Sequence, residues 1–194
     1  MKFNGLIVQL TGMSGAGKTT LSYMAKDILD TYGLQTEVID GDEYRKALCK
    51  DLGFSKQDRN ENVRRLGFVA KVLARNGIVS IISAINPYEE IRKEIENSYF
   101  HVVTVYISCG LNKLKDRDTK GLYKKAMLPW YHPDHIANFT GINDPFDIPE
   151  TKYVIDTQFD SPKESVEKLF EIIYNELKDD KYSIAYKYKI FKEA

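Results

Sequence analysis

The chain has 194 residues, 43% of them apolar and 29% charged, which suits one compact α/β domain with a real core and excludes a disordered chain. Lysine plus arginine and aspartate plus glutamate number 28 each, so no global field draws in nucleic acid or an anionic membrane, and any anion-binding surface is local. Cys49 and Cys109 lie far apart and form no CxxC pair, which excludes a disulfide scaffold and fits a reducing, cytoplasmic compartment.

In chain order the reading alternates strand and helix, as in a doubly wound, mostly parallel five-stranded sheet with helices on both faces. Leu6–Thr11 reads as a buried first strand; the apolar run around it is short and broken by Gln9, unlike a signal peptide. A helix is expected from Lys18 to about Asp30, then a second strand over Thr36–Asp40 after the turn residue Gly33. Asp58 to about Arg75 reads as a longer helix, with Leu66, Val69, Ala70 and Leu73 at helical spacing and Gly77 as its stop. Ile78–Ser83 has the β-rich character of a strand buried on both faces. Pro87 ends it, and a helix follows from about Tyr88. His101–Ile107 and Tyr153–Asp156 are the fourth and fifth strands, and Ser161 with Glu164 three residues on opens the last helix as a capping box. No apolar run approaches the roughly 20 residues of a membrane span.

Between about 118 and 151 lies a segment rich in Gly, Pro, Lys and aromatics with little regular pattern. A stretch that long inside a compact domain is usually functional, and it reads as a mobile lid. Residues 1–180 are expected to form one domain, and residues 181–194, which alternate Tyr, Ile and Lys, a C-terminal extension or tail.

Gly12-Met13-Ser14-Gly15-Ala16-Gly17-Lys18-Thr19, followed by Thr20, matches GxxxxGK(S/T) between an expected strand and an expected helix. Glycines let backbone N–H groups converge on phosphate oxygens, and the helix start adds its positive dipole end. Lys18 supplies a point charge for the β and γ phosphates of ATP, and Thr19 a hydroxyl for Mg²⁺. The second strand ends in Asp40-Gly41-Asp42, with Arg45 one helical turn on. The carboxyl ends of such strands face the ligand crevice, so Asp42 is expected to take the acceptor hydroxyl's proton and Asp40 to lie near the metal or its waters. The plainer reading of Asp-Gly-Asp is a turn and helix cap. Arg59 and Asn62, three apart, share a helix face, where Arg suits phosphate or sulfate and Asn a base edge or sugar hydroxyl. Phe54 and Phe139 are loop aromatics that either stack on a flat base or plug the core.

These motifs together resemble the adenylyl-sulfate kinase family, which phosphorylates the 3′-hydroxyl of adenosine 5′-phosphosulfate. The matching stretches are Thr11–Thr20, Asp40–Arg45, Leu52–Gly67, Arg117–Ala126 and Asn138–Pro145, and they cover most of the chain from about residue 5 to 157. The resemblance implies a P-loop NTPase fold, Asp42 as catalytic base, and Phe54 and Phe139 on either side of the acceptor's adenine. It puts Arg45, Arg59, Asn62 and the lid's Lys120 on the phosphosulfate and ribose, with Ile85, Asn86 and Thr140 also lining the acceptor, and Arg117 beside the ATP base. It implies homodimers as well.

Two stretches depart from the family pattern. Where the family has Ile-Ser-Pro, this chain has Ile85-Asn86-Pro87, and without a hydroxyl a phosphoenzyme through this position is excluded. Met127–Ala137 is longer than the usual link and adds Trp130, Tyr131, His132 and His135. The two His and Asp134 are too few for a closed zinc site, and Pro133 argues against one regular helix, so the stretch reads as a polar loop. Two alternatives accompany the kinase reading. One is a related kinase acting on another nucleotide-like acceptor, as in surface-polysaccharide decoration. The other is a nucleotide-binding regulatory subunit without turnover. An ATPase motor fits poorly, because the third strand ends without an acidic residue for Mg²⁺.

Overall fold

The computed structural model describes residues 5–178; the expected extension at 181–194 lies outside the described residues. Five parallel strands form one sheet in the order β2-β3-β1-β4-β5: β1 Ile7–Thr11, β2 Thr36–Asp40, β3 Val79–Ser83, β4 Val102–Ser108 and β5 Tyr153–Asp156. The helices are α1 Lys18–Thr31, α2 Gly41–Leu48, α3 Lys56–Ala74, α4 Glu89–Ser98, α5 Leu111–Arg117, α6 Leu122–Ala126 and α7 Pro162–Lys178. α1 packs on α7, and α3 packs on α4.

Burial explains the central strands. Every residue of β1 and β3 is buried, because helices cover both faces. One core joins Leu6, Val8 and Leu10 to Leu21, Leu29, Val105, Ile107, Leu169 and Ile173. A second, on the opposite face, joins Ile7, Ile39 and Ile82 to Leu66 and Ala70 of α3. Alternation along β1 between the two sets is the period-two signature of a strand.

The chain winds from β1 to β2 on one side, returns through β3, then crosses β1 to reach β4. The crevice therefore opens at the carboxyl end of β1, where Gly12 begins the phosphate loop. All five strands are parallel, so Thr11, Asp40, Ser83, Ser108 and Asp156 end on the same edge of the sheet.

Four elements differ from expectation, and one of them, α5, was not expected at all. α3 starts at Lys56 rather than Asp58, because Ser55 and Asp58 form the capping box: Asp58 N donates to Ser55 Oγ at 3.1 Å and Ser55 N to Asp58 Oδ2 at 3.3 Å. α2 was not drawn as an element, but the turn and helix cap read at Asp-Gly-Asp is present: Asp40 opens eight helical residues by accepting from Asp42 N at 2.9 Å and Glu43 N at 3.2 Å. Within the irregular segment, Asp118 accepts from Tyr123 N and Lys124 N, at 3.1 and 3.0 Å, and so caps the one-turn helix α6. Ser161 and Glu164 make the expected capping box at α7. Among the described residues no helix is long and apolar enough to cross a membrane.

Candidate active site

The phosphate loop is built by backbone geometry that side chains would obstruct. A Cβ on Gly12 would lie 2.4 Å from the Ile107 carbonyl oxygen, and Gly17, which caps α1, has φ 99°. Only glycine fits both positions without strain. Tyr123 Oη donates to Ser14 O at 2.8 Å, so α6 of the lid segment rests against the loop. Thr157, just past β5, donates from its hydroxyl to Ala16 O at 2.9 Å.

Lys18 is buried, and its ammonium donates to Gly12 O at 2.7 Å and Met13 O at 2.8 Å. Two of three ammonium protons are thus engaged, which leaves one for a phosphate oxygen. Burial drives its pKa down from 10.5 to about 8; nearby Lys120 adds to the fall, while Asp42 and Asp40 oppose it.

At the ends of β2 and β3, Asp40 serves two partners at once. Its Oδ1 caps α2, and its Oδ2 accepts from Thr19 Oγ1 at 2.8 Å. Ser83, level with Asp40 in the register, brings its Oγ to 3.4 Å from Thr19 Oγ1. An all-oxygen set of Thr19, Asp40 and Ser83 has the hard-donor chemistry that suits Mg²⁺.

Asp42 stands in the first turn of α2, exposed, and its Oδ2 accepts from Lys120 Nζ. The helix start that Asp40 caps aims this carboxylate from the same edge that carries the phosphate loop. Arg45 on α2 reaches the carbonyls of Leu52 and Gly53, and its guanidinium lies 4.3 Å from the Phe54 ring centroid. Arg59 on α3 donates to Phe54 O at 3.1 Å and to Asn138 O at 2.5 Å, and lies 5.6 Å from the same ring. Phe54 is 56% exposed, whereas Phe139 is 7% exposed and meets Tyr123 edge-on at 4.9 Å. The two aromatics are thus in different settings: Phe54 under two cations at the surface, Phe139 in the core against Tyr123.

Three side chains named from the sequence are buried with a polar atom unpaired: Asn62 Oδ1, Asn86 Oδ1 and Thr140 Oγ1. Native interiors leave few such atoms, and each calls for a ligand or a water. Ile85 acts through its carbonyl, which accepts from Thr11 Oγ1 at 3.0 Å and Gly12 N at 3.2 Å. Arg117 donates to Thr157 O at 2.6 Å and approaches Cys109 Sγ at 3.6 Å, beside the phosphate loop. In the longer link, Asp134 N donates to His132 Nδ1 at 3.1 Å and Trp130 packs edge-on against Tyr131; among the described residues no group of three His, Cys, Asp or Glu could hold a metal.

Sequence reasoning missed Ser83, Tyr123 and Thr157. A signal existed for Ser83 and Thr157, since both stand at carboxyl ends of strands; none existed for Tyr123, whose contact depends on how the lid segment folds back.

A parallel sheet in this order, with a glycine-bounded phosphate loop at the carboxyl end of β1 and a carboxylate across the crevice from it, defines a P-loop phosphotransferase. The model of the adenylylsulphate kinase family matches residues 4–156, and the chain belongs to that family. An adenylyl-sulfate kinase of Rippkaea orientalis is 44% identical over 172 residues, covering 88% of this chain and 92% of the relative. A probable bifunctional SAT/APS kinase of Sorangium cellulosum is 46% identical over 86% of this chain, which spans only 28% of that longer protein. Among solved structures, the APS kinase CysC of Mycobacterium tuberculosis, in complex with AMPPNP and APS, superposes with a TM-score of 0.81 at 32% identity, covering 89% of this chain and 99% of that one.

Proposed function

We infer that this chain transfers the γ-phosphoryl group of ATP to the 3′-hydroxyl of adenosine 5′-phosphosulfate, giving ADP and 3′-phosphoadenosine 5′-phosphosulfate. The observation that carries the reading is the Asp42 carboxylate, held in contact with Lys120 on the same sheet edge as the Lys18 phosphate loop, in a chain of this family.

The loop amides and Lys18 bind the β and γ phosphates. The 3′ oxygen bonds to the γ phosphorus as the bond to the β–γ bridging oxygen breaks, and Asp42 takes the hydroxyl proton. Thr19 and Asp40, with Ser83 beside them, would hold Mg²⁺, which would supply charge neutralisation on the phosphates. Arg45, Arg59 and Asn62 bind the acceptor's phosphosulfate and ribose, and Phe54 stacks on its adenine once the Arg45 guanidinium turns from the ring to the anion. Phe139 and Thr140 complete that pocket from the lid, with Ile85 and Asn86 behind it. Arg117 lies against the ATP base. The unpaired buried atoms of Asn62, Asn86 and Thr140 support this acceptor pocket. The lid over 118–151 excludes water that would hydrolyse ATP. Residues 1–180 act as one kinase domain, in the cytoplasm, as a homodimer whose mass light scattering would measure directly.

The test is ADP release by purified protein with Mg·ATP, with and without micromolar adenosine 5′-phosphosulfate. The expected result is strong stimulation and an acceptor heavier by one phosphoryl group. ATP binding without stimulation would remove this acceptor and favour another nucleotide, the outcome to which the longer Met127–Ala137 link points.

A further inference from the structure

Arg92 of α4 is fully buried, and it is the largest side chain in the described core to be so. Its guanidinium serves three segments: Nε donates to Glu89 Oε2 at 2.6 Å, Nη1 to Asn86 O at 2.7 Å and Nη2 to Asp147 O at 2.7 Å. Glu89 lies on its own helix, but the other two carbonyls do not. Asn86 is in the turn after β3, and Asp147 is at the root of the lid segment.

Both ends of this bridge lead onward. Asn86 O also accepts from Thr11 Oγ1 at 3.0 Å, and Ile85 O holds Gly12 N at 3.2 Å, so the turn grips the first residues of the phosphate loop. At the lid root, Asp147 N donates to Pro87 O at 2.8 Å and its carboxylate accepts from Glu89 N at 3.0 Å. Asn86 has φ 46°, the lone positive value outside glycine among the described residues. Such a backbone persists where its surroundings over-determine it. Here they do: Asn86 Nδ2 donates to Gln9 Oε1 at 3.1 Å, and Gln9 Nε2 donates to the Arg92 carbonyl at 3.1 Å.

A buried charge is a poor way to gain stability, since a well-packed apolar side chain of similar volume serves as well or better. A planar fork that fixes two backbone segments at once is what arginine adds. We propose that Arg92 is a positioning residue that couples the phosphate loop to the root of the lid, so that nucleotide at Gly12–Thr19 orders Asp144–Thr151 through Asn86 and Arg92. The proposal rests on Gly12–Thr19 as the nucleotide site and is independent of the acceptor's identity.

Amide hydrogen exchange of the full chain, with and without Mg·AMPPNP, tests it. In the wild type the analogue is expected to slow exchange both at Gly12–Thr19 and at Asp144–Thr151. In Arg92→Met the first effect stays and the second shrinks about fivefold or more, the low end of coupling between sites. Arg92→Lys keeps the charge without the fork and should lose the remote effect too. With an acceptor that turns over, kcat falls about tenfold or more in both variants while KM for ATP holds within about twofold, the split expected of misplacement rather than lost binding. Slowing at Asp144–Thr151 that survives in either variant overturns the proposal. So does its absence in the wild type, and so do two variants that fail to fold, which would make Arg92 structural. Loss of remote slowing in protein that ignores adenosine 5′-phosphosulfate would sink the acceptor assignment and leave Arg92 in place.

Discussion

Lys18 carries charge into a buried setting, and its depressed pKa has a direct consequence. With the pKa at about 8 instead of 10.5, free protein above that pH holds a neutral amine. Phosphate oxygens favour the ammonium, so ATP binding should take up a proton above about pH 8, and affinity should fall as pH rises further. Calorimetry at pH 8.5 in buffers of different ionisation enthalpy should read this uptake in the wild type; no buffer dependence would mean that Lys18 stays charged in the free protein. Asp42 is the proposed base. Asp42→Asn should lower kcat by at least ~10²-fold, the low end for loss of a general base, while ATP still binds. Single-turnover transfer at the wild-type rate would remove it from the chemistry.

Local chemistry at one terminus orients much of α3. The Ser55–Asp58 box fixes where α3 starts, and Arg59 and Asn62 follow within the next two turns. Ser55→Ala should cost about 1 kcal/mol, the usual loss for an N-cap, read as a lower urea midpoint with an unchanged slope, and should raise KM for the acceptor more than for ATP. An unchanged midpoint would mean that packing of Leu66 and Ala70 alone sets this helix. The box was legible, a serine followed three residues later by aspartate, yet an expectation led by apolar periodicity put the start at Asp58. α6 was less legible, because five residues carry too little period to read; its cap, Asp118, is a side chain reaching forward from outside the helix.

Across the whole molecule, ligand binding and folding are linked, because the phosphate loop joins β1 to α1 and packs against α6. Mg·ATP at about 100 times its dissociation constant should stabilise the fold by about 2.7 kcal/mol. For a domain of this size that raises Tm by roughly 5–10 °C, and Lys18→Met should abolish most of the rise. A variant that shifts as much as the wild type would show that the stabilisation comes from elsewhere on the surface.

The sequence by itself determined the strand–helix alternation, the phosphate loop and the family, because these reside in local patterns: period two, period 3.6, glycines at fixed offsets and contiguous motifs. Asp40 illustrates the limit. Its position at a strand end and a helix cap there were readable, but not that the second oxygen of the same carboxylate meets Thr19. Phe54 and Phe139 looked alike as loop aromatics, and the fold exposed one under Arg45 while it buried the other against Tyr123. Arg92 looked like any charged residue on a surface helix and is the most completely enclosed cation of the core. Tertiary structure decided these cases because burial and partnership depend on which segments the sheet order brings together, and contacts such as Arg92 with Asp147 join residues too far apart for any local pattern to register.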